Sequence, residues 1–429
     1  MSTTRSVAPA RPAIPTATSG AVGVSRLAAV SLADNRSSID QAVEAGLLSG
    51  AVTLVWHRGE VLQVNAIGHR DVEAKLPMQP DTIFRIASMT KPVTVAAAMA
   101  LAGQGKLALS DPITRWVPEL ADPRVLVDAA GPLDHTVPAQ RPITVEDLMT
   151  HRSGLAYSFS VVGPISRAYT QVSLRQDADD WLAEVSRLPL LHQPGQRLTY
   201  SHSTEVLGIA LSRIEGKPLQ TVLSERIFEP LGMTDTGFFV APEKRQRAAT
   251  MYRLDGQDGL QHDVMGPVPV REPRFCQGGA SLVSTAGDYL QFARMLLAGG
   301  EVDGVRVLSE DSVRLMRTDR LTEEQKRHPF LGAPFWVGRG FGLNLSVVTD
   351  PSRSAQLFGP GGLGTFSWPG AYGTWWQADP TNDVILIYLI QNYPDLSAAA
   401  AAVAGNTDLA RLQSTQPKFV RRTYAALGL

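Results

Sequence analysis

Cysteine is almost absent from this sequence: Cys276 is the single cysteine among 429 residues. One cysteine cannot form a disulfide within the chain, so no internal cross-link of this kind supports the fold. The 8 histidines contain no His-Glu-x-x-His pattern or other metal-binding spacing. We therefore expect a protein without a bound metal or other cofactor.

Neither sign of charge dominates, because 40 basic residues stand against 41 acidic residues and give a net charge of −1. This balance gives no indication of a nucleic-acid or anionic-membrane partner. No apolar run approaches the roughly 20 residues of a membrane helix. Residues 1–24 are rich in Ser, Thr, Ala and Pro and lack the apolar core of a secretion signal. We expect a disordered leader there and a cytoplasmic protein, while the oligomeric state stays open.

Strand patterns occur near both ends of the chain, and short helices dominate its middle. Apolar runs bounded by turn residues predict strands over residues 51–56, 61–66, 340–348, 365–368, 371–377 and 384–390. The simplest packing is an antiparallel sheet built from both chain ends, with a helical insert beside it. We predict an α+β fold with an α/β lobe formed by residues 25–106 and 271–429 and a mostly helical lobe over residues 107–270.

Lysine is also scarce: seven of the 40 basic residues are lysines, and among them only Lys91 has a serine three positions before it. An Ala-rich run follows, and Pro92 is tolerated only in a first helical turn, so a helix begins near Ser88. Residues three apart share a helix face, so the Ser88 hydroxyl and the Lys91 amine can meet. A serine becomes a nucleophile only when a base takes its proton. A solvated lysine beside a core helix is the alternative interpretation.

Two distant segments are candidates to complete such a site. Tyr200 follows a Pro-Gly turn and precedes a helix, and a phenolate near an ammonium group is a competent base. A buried core tyrosine with a satisfied hydroxyl is the simpler interpretation of Tyr200. The glycine-rich residues 361–373 allow close backbone approach to a ligand, and an edge strand there offers a free N–H for an oxyanion hole. A plain hairpin with Trp368 in the core is the alternative for this segment.

Together, these three segments have the order and separation of a known superfamily. Ser-x-x-Lys near residue 90, Tyr-Ser-x near 200 and Trp-x-Gly near 370 resemble the serine β-lactamase/penicillin-binding-protein superfamily. The similarity is greatest to family VIII carboxylesterases, which are class C β-lactamase-like esterases. Residues 82–91, 148–155, 229–233 and 279–289 also resemble that family, and the resemblance covers roughly residues 25–427. It implies an antiparallel sheet flanked by helices plus an all-helical lobe.

The resemblance also implies a role for each matching residue. Ser88 would be the acylated nucleophile, Lys91 and Tyr200 the base system, and the backbone N–H groups of Ser88 and Ala371 the oxyanion hole. The predicted substrate-binding residues are Trp368, Gly370, His202 and Tyr157. Tyr157 is equally well explained as a core residue.

Two departures from the lactamase pattern narrow the expected substrate. Lactamases and peptidases of this superfamily usually carry a cation at the position of Trp368, where it binds the substrate carboxylate. Tryptophan offers only an apolar face and one N–H. His202 stands where β-lactamases usually have asparagine, which argues against tight binding of a lactam amide. Both departures favour neutral esters.

We therefore expect a serine esterase that hydrolyses small neutral esters and binds no nucleic acid and no membrane. An acyltransferase that uses the same acyl-enzyme is the nearest alternative. A β-lactamase or D-amino peptidase and a non-catalytic penicillin-binding-like sensor are further alternatives. An α/β-hydrolase triad is not expected, because no Gly-x-Ser-x-Gly elbow occurs.

Overall fold

The computed structural model of the chain describes residues 32–255, 259–262, 265–393 and 407–429. Residues 1–24 lie outside these ranges, so the expected leader and the cytoplasmic location inferred from it stay predictions. No helix within the described ranges combines the length and the apolar character needed to cross a membrane.

The strands of the described residues fall into one large sheet and four small two-stranded pairs. In chain order they are β1 (Gly50–His57), β2 (Glu60–Asp71), β3 (Leu76–Pro77), β4 (Phe84–Arg85), β5 (Arg124–Leu126), β6 (Thr136–Pro138), β7 (Tyr252–Asp255), β8 (Gly259–His262), β9 (Val283–Ser284), β10 (Glu301–Val302), β11 (Val305–Arg306), β12 (Arg339–Phe341), β13 (Ser346–Val348), β14 (Phe366–Ser367), β15 (Trp375–Asp379) and β16 (Val384–Ile390). The large sheet is antiparallel and has the order β12-β13-β14-β15-β16-β1-β2-β3. This order confirms the prediction of a sheet built from both chain ends.

The α-helices lie on both sides of this sheet and in the middle of the chain. They are α1 (Ser37–Glu44), α2 (Thr90–Gly103), α3 (Val145–Met149), α4 (Pro164–Gln171), α5 (Ala178–Val185), α6 (Ser203–Glu215), α7 (Leu219–Leu223), α8 (Ala286–Leu297), α9 (Glu310–Met316), α10 (Glu323–Lys326), α11 (Pro351–Phe358) and α12 (Thr407–Leu427). The middle of the chain is mostly helical and also carries the pairs β5–β6 and β7–β8. The expected lobe boundaries near residues 106 and 270 stay predictions.

Both faces of the central strands are covered, which explains their continuous apolar sequences. β16 is buried along its whole length, and successive side chains of a strand point to opposite faces. Ile385 and Ile387 belong to the core shared with α2 and α8. Leu386 and Tyr388 pack on the other face, in the core shared with α1 and α12. A strand buried on both faces reads as an apolar run rather than an alternating one.

Helix α2 carries the predicted nucleophile segment into the core. Its residues 90–99 are buried on all sides, as expected for a core helix that is apolar all round. Lys91 is fully buried within its first turn. The side chain that the sequence suggested as a base therefore lies in a water-poor environment.

The structure corrects two of the predicted strands. Residues 340–348 form two short strands, β12 and β13, because Asn344 has φ 55° and turns the chain back between them. The strand expected over residues 371–377 begins only at Trp375. Before it, Gly373 (φ 81°) donates its N–H to the Gly370 carbonyl and closes a turn. Ala371 consequently lies in a loop and not on an edge strand.

Candidate active site

The nucleophile candidate lies on a strained turn just before α2. Residues 87–89 form a short 3-10 turn, and Thr90 begins the helix. Ala87 has φ 44°, a left-handed conformation that non-glycine residues adopt rarely and that is common near functional sites. Ala87 and Met89 are buried, whereas Ser88 between them is partly exposed. The turn thus leaves Ser88 accessible to solvent while its two neighbours are buried.

Lys91 is aimed at Ser88 from the interior. Its Nζ donates to Ser88 Oγ at 3.2 Å and to the carbonyl oxygen of Gly279 at 2.7 Å. The same nitrogen lies 4.7 Å from the ring centre of Tyr200 and 5.1 Å from that of Tyr157. Aromatic faces attract a cation, so the two rings and two oxygens together form a cage suited to an ammonium group. The predicted pairing of Ser88 with Lys91 is present in the structure.

Tyr200 and Trp368 meet through their polar atoms. Trp368 Nε1 donates a hydrogen bond to the Tyr200 hydroxyl oxygen at 3.1 Å. An indole N–H can only donate, so the tyrosine oxygen must accept. Both side chains are buried, at 7% and 2% exposed. A donor at this position stabilises negative charge on the Tyr200 oxygen, the form that a base needs.

Gly370 and Ala371 lie against the nucleophile turn. Thr374 Oγ1 donates to the Ile86 carbonyl, and a side-chain carbon placed on Gly370 would lie 2.3 Å from that same carbonyl oxygen. Only glycine permits this approach, two residues before Ser88. The Ala371 N–H donates to no protein acceptor in the part of the chain that the structure covers. It is thus available to a substrate oxygen, although its oxyanion role stays a prediction.

The other two predicted substrate-binding residues, Tyr157 and His202, are buried. Their rings meet edge to face with centres 4.3 Å apart. The Tyr157 hydroxyl donates to both carboxylate oxygens of Glu205, at 2.8 and 3.1 Å. The Tyr157 hydroxyl is thereby engaged within the protein, and its ring faces Lys91. A direct role of either residue in substrate binding stays a prediction.

Glu205 is the functional candidate that the sequence interpretation missed. It lies in the first turn of α6 and is 1% exposed. Burial alone would raise the pKa of Glu205, but contact with His202, the charge of Lys91 and the Tyr157 hydroxyl outweigh it and lower that pKa to about 2. The carboxylate is therefore ionised inside the core. The available signal was an acidic residue in the first, mostly buried turns of α6, five positions after Tyr200.

A chain of buried hydroxyls adjoins Tyr200. His151 Nδ1 lies 3.1 Å from Ser201 Oγ, which lies 2.8 Å from Ser203 Oγ, and Ser153 Oγ lies 2.8 Å from Ser203 Oγ. Burial, together with the nearby charge of Lys91, lowers the pKa of His151 to about 3. His151 is therefore neutral at ordinary pH and supports the segment around Tyr200 without adding charge.

One group of side chains in the described residues could hold a cation. Ligand atoms of Asp71, Glu73 and His262 lie within 4.8 Å of one another. Glu73 and His262 are exposed, and the Glu73 carboxylate already accepts the Tyr252 hydroxyl. Exposed acidic groups of this kind are common without a metal, and none of the predicted catalytic residues belongs to the group.

Comparison with known proteins identifies the family of this chain. A family model described as Beta-lactamase matches residues 35–407. Protein Rv1367c of Mycobacterium tuberculosis (strain ATCC 25618 / H37Rv) is 68% identical, over 93% of this chain and all of that protein. Esterase EstB of Burkholderia gladioli is 34% identical, over 82% of this chain and 88% of EstB.

A solved structure extends the similarity to the fold. EstCE1, described as a hydrolase with promiscuous acyltransferase activity, superposes with a TM-score of 0.74 and 27% identity. The match covers 91% of this chain and all of EstCE1. The predicted β-lactamase-like fold is confirmed. The chain belongs to the Beta-lactamase family and is a serine hydrolase similar to the β-lactamase-like esterases.

Proposed function

We propose that the protein is a serine carboxylesterase of the family VIII type that hydrolyses small neutral esters with short acyl chains through an acyl-enzyme at Ser88. The observation that carries this proposal is the approach of a fully buried Lys91 to the partly exposed Ser88 hydroxyl, with 3.2 Å between Nζ and Oγ. Tyr200 faces the same amine. Nucleophile and base groups at hydrogen-bond distance are the signature of nucleophilic catalysis.

Each half of the reaction uses the same groups. Ser88 Oγ attacks the ester carbonyl carbon while its proton passes to the Lys91/Tyr200 base system. The N–H groups of Ser88 and Ala371 would stabilise the oxyanion, and the alcohol leaves with the proton relayed by Tyr200. Water then attacks the carbonyl carbon of the acyl-enzyme and gives a proton to the same base system. That proton passes to Ser88 Oγ as the bond between Oγ and the acyl carbon breaks, which releases the carboxylic acid and regenerates Ser88.

The surroundings of Trp368 favour an uncharged substrate. Its ring lies in an aromatic cluster with Phe341 and Phe330, at 5.0 and 5.7 Å between ring centres. The single N–H of Trp368 is already donated to Tyr200. The residue therefore supplies neither a cation nor a free donor for a substrate carboxylate. We expect turnover of a chromogenic cephalosporin to be far slower than turnover of a short ester.

A direct test compares the purified wild type with Ser88→Ala on p-nitrophenyl acetate and butyrate. We expect the variant to lose all turnover above the rate of the uncatalysed reaction. Ser224→Ala is the matched control, because Ser224 is also partly exposed and its hydroxyl donates to Glu229, away from Lys91. Equal activity of wild type and Ser88→Ala would overturn the proposal.

Acyl transfer to an alcohol is the second candidate function. EstCE1 is described as a hydrolase with promiscuous acyltransferase activity, and both reactions pass through the same acyl-enzyme. Adding increasing concentrations of 1-butanol to a p-nitrophenyl acetate assay separates the two. Butyl acetate as the main product at low alcohol concentration would favour the transferase, whereas acetate as the main product favours the esterase.

A further inference from the structure

Glu205 is an ionised group inside the core that the reaction described above does not use. Its carboxylate is 1% exposed and lies beside the base system. Four ionisable or charged side chains face it: Lys91 from α2, Tyr157 and His151 from the segments after α3, and His202 at the start of its own helix. The His202 Nδ1 lies 3.8 Å from Glu205 Oε1 and so does not form a hydrogen bond with it.

Gly279 connects Glu205 to Lys91. The Gly279 carbonyl oxygen accepts the 2.7 Å hydrogen bond from Lys91 Nζ. On its other side, a side-chain carbon placed on Gly279 would lie 2.5 Å from Glu205 Oε2, so the carboxylate packs directly against the glycine backbone. Gly279 is therefore in contact with both charged groups.

Because Lys91 and Glu205 are both buried, each charge lowers the free-energy cost of burying the other. A charge without a counter-charge in the interior costs several kcal/mol of free energy. The two hydrogen-bond partners of Lys91 are neutral oxygens, those of Ser88 and Gly279. Attraction between opposite charges extends further in a water-poor interior than at the surface. Consistently, the charge of Lys91 contributes to the low pKa of Glu205, after the contact with His202.

We propose that Glu205 is a positioning residue of the base system, the buried counter-charge that keeps Lys91 as an ammonium group pointing at Ser88. The inference rests on the proposed esterase function. With Lys91 held in this form, the Ser88 proton goes to the Tyr200 oxygen when the Ser88 Oγ–carbon bond forms. Tyr200 then gives that proton to the alcohol oxygen as the ester C–O bond breaks. The Trp368 N–H stabilises the Tyr200 oxygen before the first step and after the second, when that oxygen carries no proton.

The test is the pH profile of kcat/KM for p-nitrophenyl acetate between about pH 5 and about pH 10, measured for wild type, Glu205→Gln, Glu205→Asp and Tyr157→Phe. Removing a buried negative charge disfavours every proton bound nearby. Both limbs of the profile should therefore move to lower pH in Glu205→Gln, by roughly one unit. We also expect kcat to fall by about tenfold or more.

The two other variants separate charge from shape. Glu205→Asp keeps the charge, and Tyr157→Phe removes the hydroxyl that donates to both carboxylate oxygens while leaving the carboxylate, so both should keep the wild-type positions of the limbs. A lower rate in Glu205→Gln without a shifted profile would overturn the proposal, as would an equal shift in Tyr157→Phe. If Glu205→Gln does not fold, a shifted profile in Glu205→Asp overturns it and an unshifted one supports it. Loss of the esterase proposal itself would appear separately, as unchanged activity in Ser88→Ala.

Discussion

The Trp368 indole N–H donates to the Tyr200 hydroxyl oxygen across 3.1 Å. The two residues are 168 positions apart and come from opposite sides of the site, Tyr200 just before α6 and Trp368 just after β14. In the sequence, Trp368 is notable because it stands where lactamases and peptidases of this superfamily usually carry a cationic side chain. In the structure it also donates to the Tyr200 oxygen. Under the proposed mechanism, one residue would thus both disfavour acidic substrates and support the base.

This contact predicts the effect of Trp368→Phe. The phenyl ring keeps an aromatic face but loses the donor, and a hydrogen bond to a charged group contributes roughly 1.5–3 kcal/mol. We expect kcat/KM for p-nitrophenyl acetate to fall by about 10- to 100-fold, mainly through kcat. Steady-state kinetics on the purified variant measure this effect.

Trp336→Phe is the matched control for that variant. Trp336 is also buried in the aromatic cluster, with its ring 5.8 Å from that of Phe341. Its replacement removes an indole N–H without touching Tyr200. Equal losses in the two variants would show that ring size in the cluster, and not the hydrogen bond, sets the rate.

The contact between Gly370 and Ile86 makes a second prediction. A methyl group at Gly370 would lie 2.0 Å from Thr374 Oγ1 and 2.3 Å from the Ile86 carbonyl oxygen, so the loop carrying Ala371 must shift away from Ser88. Loss of one oxyanion donor costs on the order of 100-fold or more in kcat. We expect Gly370→Ala to show this loss in an ester assay while its thermal unfolding stays cooperative.

Gly103→Ala is the matched control for Gly370→Ala, because an added methyl group at Gly103 would lie within 4 Å of no atom other than the adjacent helix backbone. We expect this control to keep wild-type activity. Gly103 ends α2, the helix that follows the nucleophile turn. Wild-type activity in Gly370→Ala would mean that the loop does not form part of the oxyanion hole.

Two buried histidines predict that acid destabilises the fold. Burial lowers the pKa of His151 to about 3 and that of His192 to about 4. Both groups titrate near pH 6.5 in an unfolded chain, so between these values the unfolded state binds protons that the folded state does not. Stability that is present above about pH 6.5 is therefore lost as the pH falls toward 3. We expect the free energy of unfolding to drop by on the order of a few kcal/mol between about pH 7 and pH 4.

Urea unfolding at a series of pH values measures this drop, and His151→Asn tests its origin. His151 has φ 53°, which asparagine tolerates better than most residues, so the backbone should be retained. We expect the variant to show a smaller loss of stability on acidification than the wild type. An identical pH dependence in both proteins would show that His151 does not contribute to the loss of stability at low pH.

Much of the fold was predictable because its signals are local. The apolar runs of β1 and β16 and the apolar, Ala-rich α2 are visible as sequence patterns. The β12–β13 turn at Asn344 was missed, because a left-handed asparagine inside an apolar run leaves little pattern. The starts of helices α4 and α11 are also ambiguous in the sequence. Both begin at a proline, which suits a first helical turn as readily as it suits a loop.

Only those site residues that belong to a motif were predictable from the sequence. The spacing of Ser88 and Lys91 indicates their meeting, since the 3-10 turn with Ser88 leads directly into the first turn of α2 with Lys91. The resemblance assigned roles to Tyr200 and Trp368 but did not reveal the hydrogen bond that joins them, which depends on how distant segments pack. Glu205 has no motif at all. Its role becomes visible only when burial and the contact with Gly279 are known.

The central claim is that a substrate acyl group is carried on Ser88. Intact-mass measurement after a brief incubation with p-nitrophenyl butyrate and an acid quench tests it most directly, followed by digestion to locate the modified peptide. We predict one butyryl group on the wild type, on the peptide containing Ser88, and none on Ser88→Ala. Ester turnover with no adduct on that peptide, or the same adduct on Ser88→Ala, would contradict the claim.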